Sequence, residues 1–533
     1  MSGFTRRDFL MTTAGVAAAA YVGPSFAATE TPKRGGTLVG TWGGFEPQSL
    51  FVPAGGGSSP YFTCTKVLER LIRLTVDLKF EPVLATEITP AADFRSYTIK
   101  LRPNVTWHDG KPLTSEDLVY NAMEYWKPIS AGVTLDALES AEATDPLTVV
   151  LKFKVPVPEF FLKSVLAGKA GLVIPKHVYA GSNIITNPVN NTPIGTGPFK
   201  VKEWVRGSHV EMSRNDAYWN AGMPYVDKLV IRWWRDPASR SAAFEAGQLD
   251  IGTFNPIPMP DIARLTATKK VVAESKGYSN SAWITSVEFN QRREIFKKRE
   301  VRQALMMGID RQFIAETVFF GRARPSIGAL HFSNSIFFTK DVQDYPFDIK
   351  KAAALLDAAG YPVKSGSRFK MSLVSAGWFE ENVKIGQYLK QAFEDLDITV
   401  ELAIPDRATS LKRIYTDYDY DVAVSNNSAS IEPIPQTTQY YTTDGIVKGA
   451  AFRNATGYSN PKMDETVSKM AIETDEPKRI AMVREFDKLA AIDAPILPMV
   501  DLEPVTIVRT DVRNHSLTAD FMGESWAEVW LDR

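Results

Sequence analysis

Residue types that do covalent chemistry are present in this chain, but not at the spacings such chemistry needs. The five histidines, His108, His177, His209, His331 and His515, stand singly. No two of them lie at the i, i+4 spacing that sets two imidazoles on one helix face around a metal. Cys64 is the only cysteine, so neither a Cys-x-x-Cys pair nor an intrachain disulfide exists. It reads as a buried, inert thiol. No Gly-x-Ser-x-Gly elbow presents a serine nucleophile, and no loop ending in Gly-Lys-Ser/Thr cradles a phosphate. His108 precedes the turn sequence Asp109-Gly110-Lys111-Pro112, which gives it a structural role. Carboxylates are abundant, with Asp+Glu at 62, yet abundance names no acid/base pair. What remains is the chemistry of recognition. Tryptophans offer flat amphipathic surface, and the run Ser425-Asn426-Asn427-Ser428-Ala429-Ser430-Ile431 offers amides and hydroxyls that donate and accept without charge.

The elements that must position these groups are clearest from Pro193 to Asp250. Gly195-Thr196-Gly197-Pro198-Phe199 reads as a tight entry into a strand. Phe199 and Val201, then Val210 and Met212, alternate with polar residues around Arg206-Gly207-Ser208, which predicts a hairpin with one buried face. Leu229, Ile231 and Trp233 alternate in the next strand. Asp236 caps a helix with Pro237 first, Gly247 stops it, and Leu249-Asp250-Ile251 begins another strand. Upstream, Gly35 to Gly40 predicts a first strand, followed by the Trp42-to-Leu50 loop. Tyr97 to Leu101 alternates, and Val105-Thr106-Trp107 is expected to pair with it. Thr114 and Asp117 form a capping box. Downstream, Ala282 to Phe289 is a strand, and Asp310 and Asp348 cap helices. A β-α-β unit spans Met371 to Leu402 around a helix from about Glu380 to Phe393. Tyr420 to Val424 is a strand, Asn460 caps a helix with Pro461 first, and Arg484 to Ala491 is helical. Pro495 to Met499 is expected to return the chain to the first lobe.

At 533 residues the chain is too long for one core, so two or more lobes are expected. Lys+Arg of 61 against Asp+Glu of 62 leaves a net charge of -1, which argues against a nucleic-acid partner and against a basic membrane-surface protein. The N-terminus reads as an address over residues 1–27: Thr5-Arg6-Arg7-Asp8-Phe9-Leu10 fits the twin-arginine pattern, Met11 to Val22 is a short apolar run, and Ser25-Phe26-Ala27 is a cleavage site. The apolar run is too short for a permanent span, and no cysteine stands at the cleavage site. The expectation is a periplasmic protein, exported by the twin-arginine translocase and not membrane-anchored, and a monomer.

Three motifs in order within one stretch carry a resemblance: Gly195-Thr196-Gly197-Pro198-Phe199, Arg214-Asn215-Asp216-Ala217-Tyr218-Trp219 and Ala246-Gly247-Gln248-Leu249-Asp250. In these the chain resembles the family 5 extracellular solute-binding proteins, the oligopeptide-, dipeptide- and nickel-type receptors of ABC importers. The resemblance covers nearly the whole mature chain. It implies an α/β fold of the two-lobe periplasmic binding protein kind (type II, cluster C-like), with an inserted α/β subdomain in the first lobe. It places the first lobe at 28–57, 193–283 and 501–533, the insert at 58–192 and the second lobe at 284–500, with Ala282 to Phe289 one of the crossings. By motif position it puts Trp42, Phe45, Glu46, Asn280, Trp283, Ser375, Trp378, Asn426, Asn427 and Ser430 at the ligand cleft. Trp283 and Trp378 read equally well as core packing.

The function this implies is capture of a small solute (peptide-, opine- or sugar-like) and its delivery to an ABC permease, with no catalytic residue, cofactor or metal. The alternative is a twin-arginine-exported hydrolase or oxidoreductase; a chaperone-like or signalling receptor on the same fold is a third reading. Peptide-binding members hold the peptide's ammonium with an aspartate just after the strand equivalent to Tyr420–Val424. Here Ser425 to Ile431 has no carboxylate, before Glu432-Pro433. A buried ammonium without an opposite charge is costly, so a neutral, hydroxyl-rich or otherwise modified solute is expected. Arg407 could serve an anionic group, but its place in the chain does not bring it to the cleft.

Overall fold

The computed structural model describes residues 31–55, 58–234, 236–377 and 379–533. The leader expected over 1–27 and the site residue Trp378 lie outside the described residues. After β1 (Thr37–Trp42) come the short antiparallel pair β2 (Ile72–Leu74) and β3 (Phe80–Pro82). Then β4 (Ala85–Pro90), β5 (Ser96–Leu101), β6 (Leu138–Asp145) and β7 (Thr148–Phe153) form an antiparallel sheet ordered β4-β5-β7-β6. β8 (Phe199–Val205), β9 (His209–Arg214), β10 (Lys228–Arg232), β11 (Ile251–Thr253) and β12 (Val271–Glu274) follow. Next are β13 (Ala282–Phe289), β14 (Ala323–Pro325), β15 (Lys370–Ser375), β16 (Thr399–Ala403), β17 (Val422–Ala429) and β18 (Ile496–Leu502). β19 (Thr506–Arg509), β20 (Val512–Arg513) and β21 (Trp530–Leu531) close the series. The two lobes are built on a seven-stranded sheet, β12-β19-β11-β1-β10-β9-β8, and a six-stranded sheet, β14-β18-β13-β17-β15-β16. Each has its own apolar core. This is the two-lobe α/β architecture expected.

Glycine decides how the first lobe closes on itself. A Cβ on Gly195 would stand 1.8 Å from the Val67 carbonyl oxygen, and one on Gly197 2.6 Å from it. Only a bare backbone lets Gly197 donate its N–H to that carbonyl, at 2.9 Å. The hairpin then forms as read, with β8 antiparallel to β9 and Phe199, Val210 and Met212 fully buried. β10 and β11 flank β1 in parallel, the right order for a β-α-β crossover. Its helix, Pro237–Glu245, begins at Asp236, whose carboxylate accepts from the N–H groups of Ala238 and Ser239. Asp250, at the end of that unit, accepts from Val39 N–H at 2.8 Å and so pins the strand entering β11 beside β1.

Three expectations differ from the structure. Val105 to Trp107 does not pair with β5, whose neighbours are β4 and β7; Trp107 instead donates its N–H to Lys111 across the turn. Pro495 to Met499 does not return to the first lobe. It enters β18, inside the second sheet between β14 and β13, and β19 makes the return. β17 does not stop at Val424. Its antiparallel partner β13 continues to Ala282, so Ser425 to Ala429 stay hydrogen-bonded in the strand. In a strand, neighbours point to opposite faces, which matters for the asparagines below.

Candidate functional site

In open α/β sheets, ligands are met beyond the carboxyl ends of the parallel strands. In the first lobe these ends are Trp42 on β1, Thr253 on β11, and Trp233 just past β10. Trp42 pairs with Thr253, and Gly40 with Ile231, so the two residues beyond that register, Trp42 and Trp233, fall side by side. In-register parallel neighbours share a face, so Trp42, Trp233 and Thr253 lie on one face at one edge. The indole N–H of Trp42, that of Trp233 and the hydroxyl of Thr253 are all buried without a hydrogen-bond partner. Trp42 is 8% exposed and stacks on Phe62 with ring centroids 6.2 Å apart. Gly43 and Gly44 let the loop fold back on it; a Cβ on Gly44 would meet the Trp42 ring at 1.9 Å.

The same loop explains two more residues. Glu46 accepts from Trp204 Nε1 at 3.0 Å and from Gly207 N–H at 2.9 Å, which fastens the loop to the β8–β9 turn. Its charge is spent there. Phe45 is largely exposed, and its carbonyl accepts from the Ser59 hydroxyl.

In the second lobe β13 and β17 carry the polar groups. Asn426, Ser428 and Ser430 are half-buried, whereas Ser425, Asn427 and Ala429 are buried, the period-2 pattern of a two-faced strand. Asn426 and Asn427, adjacent in sequence, therefore do not share a face. The Asn426 amide oxygen accepts from Thr285 at 2.9 Å, and its NH2 donates to Asn382 at 3.1 Å. Asn427 is turned inward, accepts from Ser425 at 3.3 Å, and borders a cavity of about 10 Å³ with Tyr440 and Thr437. Ser430 donates to the Asn280 side-chain oxygen at 2.9 Å, while Asn280 N–H donates to Ala519 at 2.8 Å. Ser375 is fully buried and donates to the Asn382 carbonyl at 2.6 Å.

Aromatic rings join the two sets. Phe254, just past β11, lies edge-on to Trp283 of β13 at 4.8 Å and stacks on Phe521 at 5.4 Å. Trp283 also meets Phe379 at 5.9 Å. Phe254 and Asn255 both hold left-handed backbone, with φ of 57° and 48°, a conformation costly for residues with a Cβ. It is held by Tyr278, whose hydroxyl accepts from Phe254 N–H, and by paired bonds between Asn255 and Val505. The chain passes between the sheets here, at 275–281 and 503–505.

The structure thus groups Trp42, Trp283, Asn280, Asn426 and Ser430 about the junction of the sheets, and turns Ser375 and Asn427 inward. Sequence reading missed Trp233, Thr253, Phe254, Thr285 and Asn382. Trp233 and Thr253 had a signal, since each ends a strand beside β1. Asn382 had none: it lies within the helix Glu380–Glu394 and reaches the site only through packing.

A larger cavity, about 110 Å³, lies elsewhere, beside Glu69, Arg73, Tyr218 and Glu528. Its charges are paired: Arg73 binds Glu81 and Glu528, and Glu69 accepts from Thr196, Tyr218 and Trp219. Deeper in the second lobe, burial pushes Glu288, Asp487 and Asp501 up to about 7. Both Glu288 oxygens lack a hydrogen-bond partner. Among the described residues no group of three or more His, Cys, Asp or Glu gathers to hold a metal, and no helix is long and apolar enough to cross a membrane.

Residues 79–448 match the sequence model of the bacterial extracellular solute-binding proteins, family 5 Middle. A Brucella ovis protein named for ABC-transporter peptide binding is 31% identical over 371 residues, a match covering 66% of each chain. The glutathione-binding protein GsiB of Pectobacterium atrosepticum is 25% identical over 435 residues, covering 79% of this chain and 80% of its own. The oligopeptide-binding protein AppA from Bacillus subtilis, solved with a nonapeptide, superposes with a TM-score of 0.77 at 22% identity, covering 94% of this chain and 100% of its own.

Proposed function

We infer the function from one premise: this chain belongs to the bacterial extracellular solute-binding proteins of family 5. It captures a small solute between its lobes and passes it, chemically unchanged, to the permease of an ABC importer. The observation that carries this reading is the junction itself. Two separately cored sheets meet through Phe254 and Trp283, with amides, hydroxyls and indoles around the contact. Such a junction can open to admit a solute and shut around it, because among the described residues two short stretches carry the chain from one sheet to the other. The moving parts divide as the two sheets do, β1, β8 to β12 and β19 against β13 to β18, which moves the expected boundaries from 283 to 281 and from 500 to 502, and the insert 58–192 packs on both sides through Ala519 and Ile431. The twin-arginine pattern supports export to the periplasm, and we read the exported protein as a monomer.

The test is mass spectrometry of small molecules that co-purify with the protein from its own host, with small-angle scattering before and after their removal. A stoichiometric solute, recovered intact, and a compact form lost on its removal are expected. A chemically converted solute, or scattering that does not change, would refute capture and release.

A further inference from the structure

Three hydrogen-bond donors without partners converge on one edge of the first lobe: Trp42 Nε1, Trp233 Nε1 and Thr253 Oγ1. A buried donor left unmade costs about 1–3 kcal/mol, so three on one face of three adjacent strands are a cost that a partner carrying acceptors would offset. An indole N–H can only donate, so the partner supplies acceptor oxygens. On the second lobe the half-buried positions of β17 and the residue after it are Asn426, Ser428 and Ser430. These can both give and take hydrogen bonds.

Three carboxylates near the junction are already engaged, and a fourth, Asp501 beside Ile284, keeps one oxygen without a partner but is itself buried. Glu46 holds the β8–β9 turn. Glu432, which follows Ser430 and Ile431, is buried and paired with Arg479 at 2.7 Å. Asp520 accepts from Tyr61 at 2.6 Å and Ser281 at 2.9 Å, with Arg70 at 3.6 Å. Against the three engaged carboxylates a zwitterionic peptide could bury its ammonium only by breaking contacts that are costly to break. A ring of C–H groups, by contrast, suits the faces of Trp283 and Phe254.

We propose that the cleft takes an uncharged, hydroxyl-rich solute of saccharide type, whose oxygens accept from Trp42, Trp233 and Thr253 on one lobe while its hydroxyls exchange hydrogen bonds with Asn426, Ser428 and Ser430 on the other. This rests on the solute-binding reading and names its substrate class.

Thermal unfolding of the purified protein is measured with two pools at equal concentration: neutral di- to tetrasaccharides, and a tryptic peptide digest. The saccharide pool raises Tm by several degrees and the digest leaves it unchanged. Thr253→Val, which keeps the shape and removes the unpartnered hydroxyl, leaves the ligand-free Tm the same or higher and loses most of the saccharide shift. A shift from the digest, with or without one from the saccharides, overturns the substrate class while leaving solute capture standing. No shift from either pool overturns the saccharide class, and the co-purification experiment above then decides whether any solute is captured. A Thr253→Val protein that keeps the full saccharide shift overturns the assignment of that hydroxyl.

Discussion

Thr196 donates a 2.8 Å hydrogen bond to Glu69, a residue 127 positions earlier in the chain. Tyr218 and Trp219 donate to the same carboxylate at 2.7 and 2.9 Å. Two of the sequence motifs thus meet on one buried acid, and their common order in the chain has a mechanical cause. Glu69→Ala leaves those donors facing a hole. It is expected to cost at least about 3 kcal/mol, whereas Glu69→Gln, which keeps an acceptor oxygen, costs clearly less. Urea titration of both variants checks this, and equal losses would remove the carboxylate from its central role.

The glycine preceding Thr196 is equally constrained. Gly195→Ala drives a Cβ to 1.8 Å from the Val67 carbonyl oxygen. Backbone must move, and the variant should fail to accumulate as folded protein. Gly207→Ala is the control: φ there is 75° but nothing lies within 4 Å of an added Cβ, so the cost is backbone strain of about 1 kcal/mol. Soluble yield and Tm of the pair separate crowding from strain; similar yields would contradict the close approach.

Glu288 gives a pH test. Burial raises its carboxyl from 4.5 to about 7. The native state therefore keeps a proton that the unfolded chain releases, and the stability this confers is present below about 4.5 and is lost as pH rises through about 7. Glu288→Gln cannot ionise. Relative to that variant the natural protein should lose up to roughly 3 kcal/mol between acid and mildly alkaline pH. Unfolding curves of the two proteins at pH values on either side of this window should diverge; parallel curves would show that Glu288 finds a counter-charge.

Export is tested at the other end of the chain. Under the proposed twin-arginine export, replacing Arg6 and Arg7 by lysine should hold the protein in the cytoplasm, as read by cell fractionation and by retention of the mass of the proposed leader. Normal appearance of processed protein in the periplasm would assign the leader to another route.

Much of the fold was legible because local rules and tertiary contacts agree in it. The caps at Asp236, Asp310, Asp348 and Asn460 all accept from helix N–H groups as their spacing implied. The hairpin around Gly207 follows from alternation alone. The failures are long-range. Nothing local tells Ser425 to Ala429 to remain a strand; the instruction comes from β13, over a hundred residues away in sequence. Trp107 alternates like a partner for β5 but is claimed by its own turn. Sequence order gives segments rather than faces, which is why it sets Asn427 beside Asn426 and does not show Thr285 and Asn382, which hold Asn426 in place.

That strand has an evolutionary meaning. Along β17 and just past it, positions 426, 428 and 430 are half-buried while 425, 427 and 429 are buried. Under the solute-binding site proposed above, a lineage retunes what it scavenges by changing every second residue, leaving the interleaved ones to guard the scaffold, so that diversity of diet and permanence of architecture fall on the same few residues, one skipped step apart.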